Sequence, residues 1–293
     1  MNLLPFIKMH GCGNDYVFVD GMAWTIAELQ RFNFSAVSRQ VSDRHRSVGG
    51  DGLVVMLASN RSDADARMRM FNADGSEGTL CGNALRCMAM WLHQSGHCGI
   101  RCRIAMHDRV IDAEVVSSDS DRRQAVVCVV IGTPVVVSPA AIGLLQYVRQ
   151  VTLHDVLLQG QPLQMIEVSM GNPHAIVLVD DVSSVAHEMI GPQVERHPEF
   201  PNRTNVEFVQ VTGGNIAAMR VWERGSGETQ ACGSGACATA VMGWATGLFE
   251  PCVPVHIRMT GGDVIVRLSA DTVVSLEGPA EECFRGEMEI LLI

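Results

Sequence analysis

Lysine is almost missing from this chain of 293 residues: Lys8 is the only one, set in the apolar run Phe6-Ile7-Lys8-Met9. A pyridoxal-phosphate enzyme needs a lysine for its Schiff base and a cradle for the cofactor phosphate. No glycine-rich phosphate loop accompanies Lys8, so pyridoxal chemistry is set aside and no cofactor is expected. Positive charge is short overall. Acidic residues number 32 against 22 basic ones, a net charge of −10, and the arginines are scattered rather than gathered into the basic face that nucleic acid requires. A secretory leader is missing too, since MNLLPFIKMHGCGND has no basic stretch ahead of an apolar one, which predicts a cytoplasmic protein. Ten cysteines in that compartment read as reduced thiols rather than a disulfide framework. The uncharged window Ala125–Leu145 does not read as a membrane span. Gly132-Thr133-Pro134 and Ser138-Pro139 interrupt it, and its apolar residues are mostly valine, so it predicts buried strands separated by turns. Metal spacing is weak: Ser95-Gly96 and Gly99 break up His93, His97, Cys98 and Cys102, which lack the tight pairing of structural zinc. Asn72-Ala73-Asp74-Gly75 lacks the acidic residues of a calcium loop, with Arg69 and Met70 in their places.

What is present is a pattern that occurs twice, about half the chain apart. FNADGSEGTLCGNALRCMAMWLHQSG covers residues 71–96, and ERGSGETQACGSGACATAVMGWATG covers residues 223–247. Each has a glycine- and glutamate-bearing turn, then Cys-Gly-(Asn/Ser), a second cysteine and an Ala/Met/Trp-rich run that reads as a helix. Repetition at half-length predicts a duplicated unit with two matched halves around one site.

The rest of the chain fits that scheme. Strands are predicted around Phe6–Met9 and Tyr16–Val19, joined by a turn over His10–Asp15, with helical character from Ala27 to Arg44. Leu53–Leu57 and Met68–Phe71 read as strands leading to the first Cys-Gly helix. Arg101–Met106, Val110–Val116 and Ala125–Ile131 follow it, and Gly132-Thr133-Pro134 marks a boundary. Beyond it, Gln164–Ser169 and Ala175–Val179 flank Met170-Gly171-Asn172-Pro173-His174. A helix over Val182–Ile190 is expected to end at Gly191-Pro192. Asn205–Val211 and Ala218–Glu223 lead to the second Cys-Gly helix, and the tail is a series of short strands turning at Gly261-Gly262 and Gly278-Pro279. Strands, helix, strands, twice over, is an α+β duplication.

A helix N-terminus carries unpaired N–H groups and about half a positive charge. It binds carboxylates, and glycine lets the ligand approach the backbone. A cysteine placed there has its thiolate favoured, with thiol pKa values of about 3.5 to 7.5 against about 8.5 for a free thiol. Two such ends suit the inversion of a carbon next to a carboxylate: one cysteine removes a proton as thiolate, the other delivers one as thiol, and the helix ends hold the carboxylate. The plainer alternative is that Cys81 and Cys232 are small buried residues. Repetition with polar neighbours argues for the chemical role.

The segments HGCGNDYVFVD, FNADGSEGTLCGN, MGNPHAIVLVDDV, RTNVEFVQV and ERGSGETQACGSGAC resemble the diaminopimelate epimerase family in order and spacing, from about residue 6 to the C-terminus. The resemblance implies a pyridoxal-independent epimerase that interconverts LL- and meso-diaminopimelate in lysine and peptidoglycan-precursor synthesis. It implies two pseudo-symmetric lobes, each a mostly antiparallel sheet wrapped around a central helix, with the site in the cleft. Residues 1–131 and 279–293 would form the lobe carrying Cys81, and residues 132–278 the lobe carrying Cys232. By position, Cys81 and Cys232 would be the acid/base pair, and Gly82, Asn83, Gly233 and Ser234 the helix-end residues for the reacting carboxylate. Asn14, Asn72, Asn172, Asn205, Glu223 and Arg224 would hold the substrate, chiefly its distal amino-acid end, and His174 and Glu223 would tune the cysteines. A cation and acceptors are what a second zwitterionic centre needs.

Three positions depart from the family pattern. Gly52 stands where some members have a substrate-contacting glutamine. Ala84 replaces a glycine inside the first Cys-Gly helix. Phe284 replaces a tyrosine linked to dimerisation in some members, so a homodimer is the loosest of the implied properties. Cys87 and Cys237 read as core, Cys12 could line the cleft, and the methionines read as core filler. A racemase for another amino acid, such as histidine, needs the same two cysteines, whereas proline racemase-like enzymes start from Cys-Gly-His. A non-catalytic carboxylate clamp would use the helix ends without proton exchange.

Overall fold

The computed structural model describes residues 3–290 apart from 79, 108, 120–122 and 136–142, so the turn expected at Ser138-Pro139 lies outside the described residues. The chain forms two compact units, one from residues 1–129 and 278–293, the other from residues 130–277.

The first unit runs β1 (Leu3–Gly11), β2 (Asn14–Gly21), α1 (Ile26–Leu29), α2 (Phe34–Ser42), β3 (Gly52–Ala58), β4 (Ala66–Asn72), β5 (Glu77–Gly78), α3 (Gly82–Gln94), β6 (Arg101–Met106), β7 (Arg109–Ser118) and β8 (Gln124–Gly132). The turn between β1 and β2 is shorter than expected. Cys12 and Gly13 both take positive φ, 54° and 75°, and two such residues match the twist of a hairpin. The single helix expected over Ala27–Arg44 is two. Thr25 and Glu28 form a reciprocal cap for α1, and Asn33 starts α2 anew by accepting the Ala36 N–H at 3.1 Å.

The second unit runs β9 (Val148–Leu158), β10 (Gln161–Ser169), β11 (Pro173–Leu178), α4 (His187–Glu195), β12 (Asn205–Gly213), β13 (Ile216–Glu223), β14 (Gly227–Thr229), α5 (Gly233–Thr246), β15 (Val255–Met259), β16 (Gly262–Leu268) and the start of β17 (Val274–Glu289), whose residues from 278 on belong to the first unit. Helix α4 passes through Gly191-Pro192 instead of ending there. Gly191 is needed because a Cβ would lie 2.5 Å from the Trp222 ring, so its role is close packing rather than termination. Gly278-Pro279 likewise makes no turn. Val274–Glu277 pair with β16 and Glu281–Glu289 with β1; Pro279 falls between the two ladders, where neither needs its N–H. Strand β9 is absent from the sequence reading, although its buried Val151 and Leu153 alternate with exposed neighbours.

The strand pairings repeat. From β1 through β2, β3, β4 and β6 to β7 they are antiparallel, parallel, antiparallel, parallel and antiparallel. From β10 through β11, β12, β13 and β15 to β16 the succession is identical. In the first unit β8 pairs with β7 and β17, and β17 with β1, which closes the sheet on itself. Each unit encloses one helix. Asn83–Leu92 of α3 and Gly235–Trp244 of α5 are buried without interruption, the pattern of a helix covered on all sides. Helix α3 packs on β1, β6 and β7, and α5 on β10, β11, β12 and β16. A second helix covers the other face of each sheet: Phe34, Val37 and Val41 of α2 join the core of β1–β4, and Ile190 and Val194 of α4 that of β9–β12. Strands covered on both faces carry continuous apolar runs, as in Leu53–Leu57 of β3, all buried. No helix among the described residues is long and apolar enough to cross a membrane.

Candidate active site

Cys81 and Cys232 are the N-cap residues of the two enclosed helices. Their backbones match, with φ/ψ of −143°/108° and −122°/109°. Each sulphur accepts the N–H three residues on, Ala84 N–H at 3.5 Å and Gly235 N–H at 3.3 Å. The side-chain oxygen of a usual cap is thus replaced by a thiol. Gly82-Asn83 and Gly233-Ser234 open the first turns, where backbone N–H groups point out of the helix.

The pairing registers align the two half-sites residue by residue. Tyr16 lies opposite Gly52 between parallel β2 and β3, and His174 lies opposite Asn205 between parallel β11 and β12. Asn14 and Asn172 are therefore counterparts, two residues earlier. Each is tied to the residue two after its cysteine: Asn83 Nδ2 donates to Asn14 Oδ1 at 3.1 Å, and Asn172 Nδ2 donates to Ser234 Oγ at 3.3 Å. Val54 corresponds to Glu207. Asn72 closes β4 opposite Gly52, and Glu223 closes β13 one step beyond the Val206–Trp222 pair.

Around Cys81 the partners include a hydroxyl and an amide. Tyr16 Oη is 3.3 Å from Cys81 Sγ, and the thiol reaches Asn14 Oδ1 at 3.8 Å. Asn14 is held from behind by Asp51 Oδ2, which accepts its Nδ2 at 2.8 Å. Arg44 bridges Asp15 and Asp51, and buried Lys8 bonds to Asp15 and the Gly49 carbonyl. Burial pushes the Asp51 carboxyl up. Burial also penalises Asp15, but Arg44 and Lys8 hold it below the usual carboxylate range. Fully buried Arg86 of α3 donates to Asn83 Oδ1 at 2.8 Å and to the Pro279 carbonyl at 3.1 Å.

Around Cys232 the partners include carboxylates. His174 Nδ1 and Glu207 Oε1 are 2.6 Å apart, both fully buried, and His174 Nε2 lies 3.2 Å from Asn172 Oδ1. Ser234 Oγ is 3.5 Å from Cys232 Sγ. Burial first, then Glu223 and Glu207, raise the Cys232 thiol well above its ordinary value, against the lowering pull of Ser234 and the Gly235 N–H. The expectation of a thiolate favoured by the helix end fails here, because desolvation and two carboxylates outweigh one capping N–H. Glu207 reaches this place because position 235 is glycine; a Cβ there would lie 2.5 Å from Glu207 Oε1. Its counterpart in the first half-site is Ala84, fully buried and with no carboxylate to make room for, since Val54 stands in for Glu207.

The other expected residues spread more widely. Asn205 is buried, donating to the Pro173 carbonyl at 3.1 Å and accepting the Arg224 N–H at 2.9 Å, while the Arg224 side chain is exposed and bonds to the Asn202 carbonyl. Glu223 accepts from Thr229 Oγ1 at 2.5 Å. Asn72 is exposed and donates to Ser76 Oγ. Gly52 cannot be other than glycine on this backbone, as a Cβ would meet the Phe71 carbonyl oxygen at 2.1 Å. Phe284 is half exposed on β17, edge-on to Phe6. Sequence reasoning missed Tyr16, Asp51, Arg86 and Glu207. The signal for the first was the echo of Asn14-Asp15-Tyr16 in Asn172-Pro173-His174. His174, Glu207 and Cys232 bring three possible metal donors within 4.8 Å of one another, but the histidine and glutamate are already joined to each other and the thiol caps α5. Of the group read as a weak zinc pattern, His93 bonds to the Gly99 carbonyl and His97 stacks on Trp91.

The family model described as diaminopimelate epimerase matches residues 6–137 and 166–282. A diaminopimelate epimerase of Acetivibrio thermocellus is 39% identical over 98% of this chain and 99% of that protein, and one of Halothermothrix orenii is 39% identical over 98% of each. Solved structures share the fold at low identity. A Bacillus anthracis phenazine biosynthesis protein of the PhzF family aligns with TM-score 0.72 and 17% identity over 99% of this chain and 100% of that one. A hydroxyproline epimerase from Agrobacterium vitis, bound to trans-4-hydroxy-L-proline, aligns with TM-score 0.68 and 14% identity over 98% of this chain and 91% of that one. Full-length identity near two-fifths, with the family model spanning both Cys-capped helices, shows that this chain belongs to the diaminopimelate epimerase family.

Proposed function

We propose that this chain epimerises diaminopimelate between its LL and meso forms, without a cofactor, using Cys81 and Cys232 as the two proton-transfer groups. The observation that carries the reading is the matched pair of half-sites: a cysteine caps each enclosed helix, with an asparagine at the same strand position tied to the residue two after it. The reading requires both sulphurs to reach one α-carbon, on opposite faces. The thiolate takes the α-proton as the thiol on the other face delivers its own. The helix N-termini at Gly82-Asn83 and Gly233-Ser234 stabilise the charge that develops on the reacting carboxylate.

The surroundings set the direction of the resting state. Cys232 holds its proton and starts as the acid, so Cys81 starts as the base. Transfer leaves Cys232 as thiolate, which Ser234 and the Gly235 N–H hold until the reverse step. Asn14, Asn72, Asn172, Asn205, Glu223 and Arg224 bind the substrate, Arg224 supplying the cation and Glu223 an acceptor for the distal centre. This reaction supplies lysine and peptidoglycan precursors and belongs in the cytoplasm.

The test is α-proton exchange in deuterium oxide under reducing conditions, with LL- or meso-diaminopimelate, histidine, glutamate and proline offered separately. Exchange confined to diaminopimelate is the expected result. Exchange only with another amino acid would move the chain to a related racemase, and binding without exchange would make it a carboxylate clamp.

A further inference from the structure

We propose that Tyr16 is a catalytic residue of the first half-site, its phenol donating a hydrogen bond to the Cys81 sulphur whenever that sulphur carries the negative charge. The proposal rests on the reading of Cys81 as an acid/base group. Its own support is geometric. Tyr16 is buried, its Oη lies 3.3 Å from Cys81 Sγ, and its ring packs edge-on to Phe18 at 6.4 Å, so the hydroxyl is aimed rather than mobile.

The chemistry around the sulphur fits both of its protonation states. As a thiol, Cys81 can donate to Asn14 Oδ1 at 3.8 Å, an oxygen oriented by the Asp51 and Asn83 bonds to the same amide. As a thiolate it has no proton to give, and the Tyr16 hydroxyl and the Ala84 N–H are donors within its reach. A group that must be base in one direction and acid in the other needs a partner for each form.

The duplication sharpens the assignment. Tyr16 occupies the strand position that His174 occupies in the other half, and Val54 and Asn72 occupy those of Glu207 and Glu223. One half-site therefore presents a neutral donor to its cysteine, and the other presents an imidazole joined to the Glu207 carboxylate and the Asn172 amide. The α-proton goes to Cys81 Sγ, and the hydroxyl only lowers the energy of the anion that receives it.

The experiment follows alkylation of Cys81 by iodoacetamide against pH, read by mass spectrometry of the peptide carrying it, in the full-length protein and in Tyr16→Phe. Phenylalanine keeps the ring and removes the donor. Loss of one hydrogen bond to a charged group should raise the midpoint for Cys81 by about one pH unit and leave that of Cys232 in place. Isotope exchange in the direction that uses Cys81 as base should fall about tenfold at neutral pH. A second variant keeps the hydroxyl. The chain has only two tyrosines, Tyr16 and Tyr147, so 3-fluorotyrosine incorporated into Tyr147→Phe labels Tyr16 alone. Its more acidic phenol is a stronger donor and should lower the Cys81 midpoint. Unmoved midpoints in both variants would overturn the role of Tyr16. Cys81→Ala separates the two failures: a variant that still turns over sinks the two-cysteine reading, whereas an inactive one with unmoved Tyr16 midpoints sinks only this proposal.

Discussion

The two cysteine-capped helices share a backbone and differ in almost everything charged around it. Cys81 sits half exposed between a phenol and an amide, and the carboxylates behind that amide are answered by Arg44 and Lys8. Cys232 is buried beside Glu207 and Glu223, which raise its thiol along with burial. A helix N-terminus is therefore not enough to set the state of a cysteine. Its positive end is worth about as much as one good polar contact, and desolvation with two carboxylates exceeds it. Duplication supplies two equal frames, and burial together with two carboxylates of the second frame, Glu223 and Glu207, makes one thiol a proton holder.

The largest effects should come from removing either sulphur. Cys81→Ala and Cys232→Ala should each cut epimerisation by about 10²- to 10⁴-fold, the usual worth of a positioned acid or base, as followed by NMR of LL- and meso-diaminopimelate. A large loss from one and none from the other would break the pairing. Next come the helix positions three residues after the cysteines. Gly235→Ala should cost about 1–3 kcal/mol by overpacking against Glu207, measured by urea unfolding, and should lower activity with it. Ala84→Gly should cost only about 1 kcal/mol of helix stability. Equal costs would mean that Glu207 does not separate the two sites.

A smaller effect tests the charge itself. Glu207→Gln removes a negative neighbour, so the pH midpoint for alkylation of Cys232 should fall by about one unit while that of Cys81 stays. The smallest effect at neutral pH concerns thiols outside the chemistry. Burial pushes Cys87 and Cys102 up to about 12. These groups keep their protons in the folded state beyond the point where the unfolded chain loses them. Their contribution is thus complete below the ordinary thiol value and lost as pH rises towards 12, at about 1.4 kcal/mol per pH unit for each thiol. Cys102→Val should flatten the alkaline fall in stability, followed by urea midpoints between pH 8 and 10.

Much of this was legible in the sequence. The Cys-Gly repeat located both enclosed helices, because cysteine, glycine and a small polar residue at a helix start form a local pattern. The echo of Asn14-Asp15-Tyr16 in Asn172-Pro173-His174 stands in the sequence, but the equivalence of Tyr16 and His174 comes only from strand register, Tyr16 against Gly52 and His174 against Asn205. Glu207 hides for a similar reason: it stands in an apolar strand and becomes a neighbour of Cys232 only because Gly235 lets it approach. Proline and glycine misled twice. Gly191-Pro192 and Gly278-Pro279 read as breaks, yet one sits in α4 against Trp222 and the other between two ladders of β17. Arg86 lies inside the Ala/Met/Trp-rich run read as a helix, and is fully buried, bonded to Asn83 and the Pro279 carbonyl.

The two matched cysteines stand in unlike surroundings, a phenol and an amide at Cys81 and two carboxylates at Cys232, and Cys232 is the one whose proton is held. The most direct measurement is the pH dependence of iodoacetamide alkylation at both, read from the two peptides of one sample, since a midpoint reports ionisation independently of access. The expected result is a midpoint for Cys81 below that of Cys232, with Cys232 above the ordinary thiol value. Coincident midpoints, or Cys232 titrating first, would contradict it.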